Sequence, residues 1–312
     1  MNVVSFMQQV SCALERQGSY GTAHVYRSTL NAIRVYHGSR KLSFAMVSPE
    51  WLKGFEIHLR SRGLTWNTVS TYMRTFRAVF NRAVSTGKVA YVPLLFHSVY
   101  TGTRADCKRA LSEADMKRIF AKDDSANLTP AMCSVREMFI LMFLLRGLPF
   151  VDLVYLRKSD LHQNTITYRR RKTGRPLSVT LTPAAMFLIK KHWNQDASSP
   201  YLFSWIKSKE GTKEAYREYQ QALRFFNQQL MLLGAVLQLT DHVSSYTARH
   251  TWATTAYYCE IHPGIISAAM GHSSVMVTET YLKPFKNKKI DEANEAVISF
   301  VQNLSSDIML RI

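Results

Sequence analysis

Ser245-Tyr246-Thr247-Ala248-Arg249-His250-Thr251-Trp252, followed by Gly271-His272-Ser273-Ser274 and then Tyr281, is the stretch from which the rest of this 312-residue chain can be read. Arg249 heads an amphipathic helix in which Trp252, Ala253 and Ala256 turn to one side. His272 lies 23 residues further on, and Tyr281 nine after that. Breaking a phosphodiester without a metal requires a nucleophile, positive donors around the non-bridging oxygens, and an acid for the departing oxygen. Arginine suits the second task because its planar fork donates two hydrogen bonds and never loses its charge. A tyrosine nucleophile conserves the bond energy in a covalent intermediate. One tyrosine among 15 carries little weight alone.

Upstream, Asn164–Tyr168 and Leu177–Leu181 are short β-branched runs joined by Arg169-Arg170-Arg171-Lys172-Thr173-Gly174-Arg175, which predicts a β-hairpin with a basic tip. Pro130–Leu145 reads as a helix that is apolar almost all round, hence central, and it ends in Arg146-Gly147-Leu148-Pro149. Pro183 opens the next helix, Lys213–Leu233 forms a long one, and Ile290–Leu304 a last one with Ile290, Ala293, Ala296, Val297, Phe300 and Val301 as its apolar positions.

The first hundred residues also read as helices. Ser48-Pro49-Glu50 is a start signal, with Ser48 as cap and Pro49 at the first helical position, and Gly63 follows the end of that helix. A long helix over Trp66–Thr86 buries Val69, Tyr72, Met73, Phe76, Val79, Phe80 and Ala83 on one face. Its other face carries Arg74, Arg77 and Arg82, with Thr68 among short polar groups suited to phosphate oxygens. Tyr91–Lys108 lacks periodicity and reads as a linker, which places a boundary between residues 103 and 104; Ser112 then caps the first helix of the second domain.

Bulk composition agrees with a nucleic-acid partner. Lys+Arg number 40 against 22 Asp+Glu, a net charge of +18, and residues 1–100 hold 12 basic residues against 3 acidic ones. The longest apolar run, Met138–Leu145, is too short to cross a bilayer. The N-terminus lacks the basic flank and apolar core of a signal peptide, and the four cysteines show no paired spacing. These features predict a reducing, cytoplasmic setting without disulfides, cofactor or metal.

Taken together, Tyr246–His250, Ala269–Ser274 and Thr278–Tyr281 resemble the C-terminal signature of the tyrosine recombinases, the phage-integrase family. The resemblance covers roughly residues 20–300 and implies a mainly α protein. Residues 1–103 would be a helical, SAM-like core-binding domain that clamps DNA, and residues 104–312 a mostly helical catalytic domain with a small antiparallel β-sheet and a C-terminal helix. It makes Tyr281 the nucleophile, Arg249 a phosphate-binding arginine, His272 a donor to the scissile phosphate, and Lys172 the acid at the hairpin tip. Arg169, Arg170, Arg171 and Arg175 read equally as phosphate contacts, and strand alternation does not decide which side chain enters the site; Arg170 and Arg175 are assigned to DNA.

Two positions depart from the common pattern. Pro149 stands where the family carries its first arginine, with Asp152 at the acidic position that follows, so Arg146 is expected to reach the phosphate instead. Tyr246 stands where a histidine is usual, and a phenol accepts protons poorly; His242 is an alternative base. His250 would point elsewhere on its helix than Arg249, as a core residue or one packed behind the site. Both departures recur in a subgroup common in Bacteroidetes, which includes invertases and mobile-element integrases. By resemblance the activity is site-specific cleavage and rejoining of double-stranded DNA through a 3′-phosphotyrosine, with strands exchanged through a Holliday junction by a homotetramer on bacterial nucleoid DNA. An accessory DNA-bending protein is compatible with this. The alternative is a sequence-specific DNA-binding protein on a catalytically impaired scaffold. The last helix is expected to dock either on a neighbouring protomer or on its own domain.

Overall fold

The computed structural model describes residues 1–38, 41–104, 109–121, 128–283 and 287–309. The chain divides into two compact units, 1–106 with 207–220, and 107–206 with 221–312. The inclusion of 207–220 in the first unit was not foreseen from the sequence; there Tyr216 stacks on Tyr20 with ring centroids 5.8 Å apart. Part of the expected linker, 105–108, lies outside the described residues, as does Pro284.

The first unit is built on four helices, α1 (Val3–Arg16), α2 (Tyr20–His37), α3 (Pro49–Ser61) and α4 (Trp66–Ser85). Their starts are fixed by side-chain caps. Asn2, Ser48 and Thr65 accept from the backbone N–H of Ser5, Trp51 and Thr68, and Pro49 occupies the first turn of α3. Met7, Ile33, Leu52, Phe55 and Phe76 are fully buried, so the apolar stripes meet in one core. A buried carboxylate ties in the following loop: Glu56 pairs with Lys53 at 2.5 Å and accepts from the Tyr100 N–H at 2.6 Å. Asn67 exchanges two 2.8 Å hydrogen bonds with the backbone of Arg104. Arg74, Arg77 and Arg82 are exposed on α4, and Arg82 also reaches over the Tyr26 ring; Thr68 is half-buried, its hydroxyl 3.0 Å from that of Thr65.

The second unit contains α5 (Glu113–Phe120), α6 (Pro130–Leu144), α7 (Phe150–Val154), strands β1 (Leu161–His162), β2 (Thr165–Arg169) and β3 (Pro176–Thr180), then α8 (Pro183–Lys191) and the later part of α9 (Lys213–Val236). It continues with α10 (Thr247–Tyr258), α11 (Pro263–Met270), α12 (Val275–Glu279) and α13 (Asn287–Met309). The apolar α6 packs against α8 and α10, as a helix without a polar face must. The three strands form one antiparallel sheet in the order β1-β2-β3, with Thr165 opposite Thr180 and Arg169 opposite Pro176. The expected hairpin is thus present, while β1, two residues long, gave no periodic signal. No helix among the described residues is long and apolar enough to cross a membrane.

Candidate active site

Arg249 is 1% exposed, because the whole first half of α10 is buried. Hydroxyls hold that helix in place: Thr247 accepts from the Ser244 N–H at 3.0 Å, and Thr251 from the Leu111 N–H at 3.0 Å. The guanidinium then has a fixed set of partners. Nη1 donates to the Gly147 carbonyl at 2.9 Å, Nη2 donates to the Met270 carbonyl at 2.6 Å and lies 2.8 Å from His272 Nε2, and Nε is buried without a partner among the described residues.

The approach to Gly147 depends on that residue being glycine. After α6, Arg146 and Gly147 both adopt left-handed backbone, φ +58° and +67°, and a Cβ on Gly147 would lie 2.8 Å from the Arg249 Cα. Arg146, half-exposed, donates from Nη1 to the Ser178 carbonyl at 3.2 Å. Gly271 does the corresponding work at the end of α11. It caps the helix at φ +66°, and a Cβ there would meet Leu177 Cδ1 at 3.0 Å and Arg170 Cγ at 3.1 Å.

His272 follows directly and is buried. Its Nδ1 lies 2.8 Å from the Thr278 hydroxyl. Since Arg249 can only donate, Nε2 is the accepting nitrogen and Nδ1 carries the proton, an assignment inferred from the partners. Burial first, then the charges of Arg249, Arg170 and Lys172, push the imidazole down to about 3, so it is neutral at physiological pH.

Tyr281, 9% exposed, is locked from both ends. Its carbonyl accepts from the Thr254 hydroxyl at 3.1 Å, its ring stacks on His272 at 4.9 Å, and the Arg249 guanidinium stands 5.7 Å from the ring centroid. The hydroxyl is hydrogen-bonded to that of Tyr246. Partial burial and the neighbouring Tyr281 raise the Tyr246 phenol above its ordinary value. His250 is buried, with its ring 4.5 Å from that of Tyr281; His242 is exposed.

The hairpin closes the site. Arg170, assigned from sequence to the DNA surface, is 6% exposed and ion-paired with Asp152, which is itself 3% exposed and also accepts from the Arg171 N–H at 3.0 Å. Ile166, Tyr168 and Arg170 are in phase on the buried side of the strand, a period-two signal that ran past the expected strand end. Arg175 donates from Nη1 to the His272 carbonyl, and Lys172 is exposed at the tip. Tyr168, not singled out from sequence, is buried near this cluster; burial and the Asp152 charge raise its phenol.

A tyrosine hydroxyl bordered by a buried arginine, a neutral histidine and a cationic hairpin is equipment for phosphoryl transfer to a protein side chain. Comparison with known proteins agrees. Residues 2–99 match the phage integrase SAM-like domain, and residues 109–288 match the phage integrase family. Among solved structures, a lambda integrase (residues 75–356) dimer bound to a COC′ core site is 16% identical, covering 91% of this chain and 96% of that one with a TM-score of 0.66. The Tn1549 transposon integrase in complex with transposon right end DNA is 14% identical, with 96% and 100% covered and a TM-score of 0.65. A lambda integrase tetramer bound to a Holliday junction is 15% identical, with 91% and 78% covered and a TM-score of 0.65. These likenesses show the fold. No match was found among curated protein sequences. The chain belongs to the phage integrase family, the tyrosine recombinases. It is a tyrosine-type site-specific DNA recombinase.

Proposed function

We propose that Tyr281 is the nucleophile of strand cleavage. The supporting observation is its placement, with the ring stacked on His272, the Arg249 guanidinium beside it, and the hydroxyl fixed by a hydrogen bond. Tyr281 Oη attacks the scissile phosphorus and the bond to the 5′ oxygen breaks. The phenolic proton leaves to solvent, and Lys172 gives a proton to the departing 5′ oxygen. Arg249 donates to the non-bridging oxygens, and His272 joins it in its other neutral tautomer, with Nε2–H donating to the phosphate and Nδ1 accepting from the Thr278 hydroxyl. The 3′-phosphotyrosine retains the bond energy, so a 5′-hydroxyl from the partner duplex can reverse the step without a nucleotide cofactor.

The helical unit of Arg74, Arg77, Arg82 and Thr68 clamps the duplex, with the functional division near residue 103. Four protomers act on two sites and exchange strands through a Holliday junction, on nucleoid DNA in the cytoplasm. The exposed Ile290, Val297 and Phe300 of α13 support docking of that helix on a neighbouring protomer. The test is a nicked suicide substrate carrying the DNA site that the protein binds. Wild-type protein is expected to form a covalent adduct that resists denaturation and is absent in Tyr281→Phe; an adduct persisting in that variant would overturn the assignment.

A further inference from the structure

We propose that Arg170 is the second phosphate-binding arginine of this site, a catalytic residue delivered by the β-hairpin to the role that Pro149 leaves vacant. The proposal rests on the recombinase reading above and assigns within it a group that the sequence placed elsewhere.

Three observations carry it. Arg170 is buried, and its Cγ packs against Gly271, so that its side chain lies beside His272, whose Nε2 meets Arg249. Its anchor is Asp152, three residues beyond Pro149 and bonded through its N–H to the Pro149 carbonyl, so the hairpin guanidinium is tied to the segment in which an uncharged ring stands at the usual arginine position. Finally, its Nε is buried without a partner among the described residues, as is that of Arg249. A buried charged donor left without an acceptor is costly, and an incoming phosphodiester has two non-bridging oxygens to offer the two forks. Arg146 does not match this description, being half-exposed and bound to the Ser178 carbonyl. In support, the Arg170 charge is felt at both Arg249 and His272, lowering each.

A purely structural role, in which Arg170 only pins the hairpin to Asp152, is separated by the substrate rather than by the variant alone. A methylphosphonate at the scissile position replaces one charged non-bridging oxygen by a methyl group. It removes the charge that a phosphate-binding arginine neutralises, and leaves every interaction within the protein unchanged. With full-length protein and the nicked substrate, Arg170→Ala is expected to lower the rate of adduct formation by about 100-fold on phosphate, the loss typical of one preorganised donor. On methylphosphonate it should approach the wild-type rate to within about tenfold, since the neutral phosphorus no longer needs that donor. Equal losses on the two substrates, or a rate within about threefold of wild type on phosphate, would overturn the proposal, because a positioning defect does not respond to substrate charge.

Should Arg170→Ala not fold, Arg170→Lys keeps a charge for Asp152 but not the fork; a fall of about tenfold with the same recovery on methylphosphonate is expected, and no fall overturns the proposal. The parent reading fails separately. If wild-type protein gives no Tyr281-dependent adduct, both fall; if it does and the Arg170 variants are unimpaired, only this inference falls.

Discussion

The hydroxyl of Tyr281 is hydrogen-bonded to the hydroxyl of Tyr246, the residue that stands where the family usually carries a histidine. A phenol raised above its ordinary value stays protonated at neutral pH, so under the proposed mechanism Tyr246 would orient Tyr281 and not take its proton. Tyr246→Phe should therefore slow adduct formation by about tenfold, the worth of one hydrogen bond, with DNA affinity unchanged. Single-turnover cleavage checks this; a rate equal to wild type would show that the hydroxyl is dispensable.

Acid should weaken the catalytic unit through His272. Its pKa falls from an ordinary 6.5 to about 3 on folding, so below 6.5 the unfolded chain binds a proton that the folded one refuses. Stability from this group is complete above 6.5 and is lost as pH drops toward 3. At about pH 5 the loss amounts to about 2 kcal/mol. Urea unfolding of wild type and His272→Gln at neutral and acid pH measures it, and identical pH dependence in both would contradict the assigned burial.

Asp152→Asn removes the charge opposite Arg170 while keeping the side-chain shape. A buried guanidinium without its carboxylate is expected to cost about 3 kcal/mol, and the turn bearing Lys172 should loosen because the Arg171 N–H is held by the same group. Denaturant midpoints and amide exchange across 169–175 report the two effects separately.

Gly147→Ala places a methyl group 2.8 Å from the Arg249 Cα on a backbone at φ +67°. Left-handed backbone and the close approach together should cost about 2 kcal/mol or more and displace Arg249. Both unfolding and cleavage should suffer. A variant as active as wild type would mean that the turn can move without consequence.

On the first unit, Arg74→Ala with Arg77→Ala should lower DNA affinity for any sequence. The slope of log affinity against log salt should fall by about two, one for each phosphate that is no longer neutralised. Filter binding over a salt series is sufficient; an unaltered slope would place the duplex on another face.

Local chemistry made the helices readable. Ser48-Pro49 and Ser112 cap where capping signals stand, and the largely apolar Pro130–Leu144 sits between neighbours on several sides. Arg249, His272 and Tyr281 were singled out by resemblance to the motifs of a family, and the structure brings them together although α10, α11 and α12 lie between them along the chain. Residues converging from distant segments were not. Arg170 depends on Asp152, 18 positions away, and on the absence of a side chain at Gly271, facts of tertiary packing that no local window contains. His250 was expected in the core or behind the site, and the Tyr281 ring lies against both it and His272. Strand β1 is too short to show alternation.

The buried guanidinium groups of Arg249 and Arg170, with Asp152 as the carboxylate paired among them, leave the free protein short of one anion. Whatever supplies that anion selectively to the folded state also holds the chain folded. DNA is then a stabiliser of its own recombinase, and the half-life of the protein in a cell should follow the number of target sites available to it. An abundance control of this kind requires no repressor: surplus molecules without a site would be the first to unfold and be degraded.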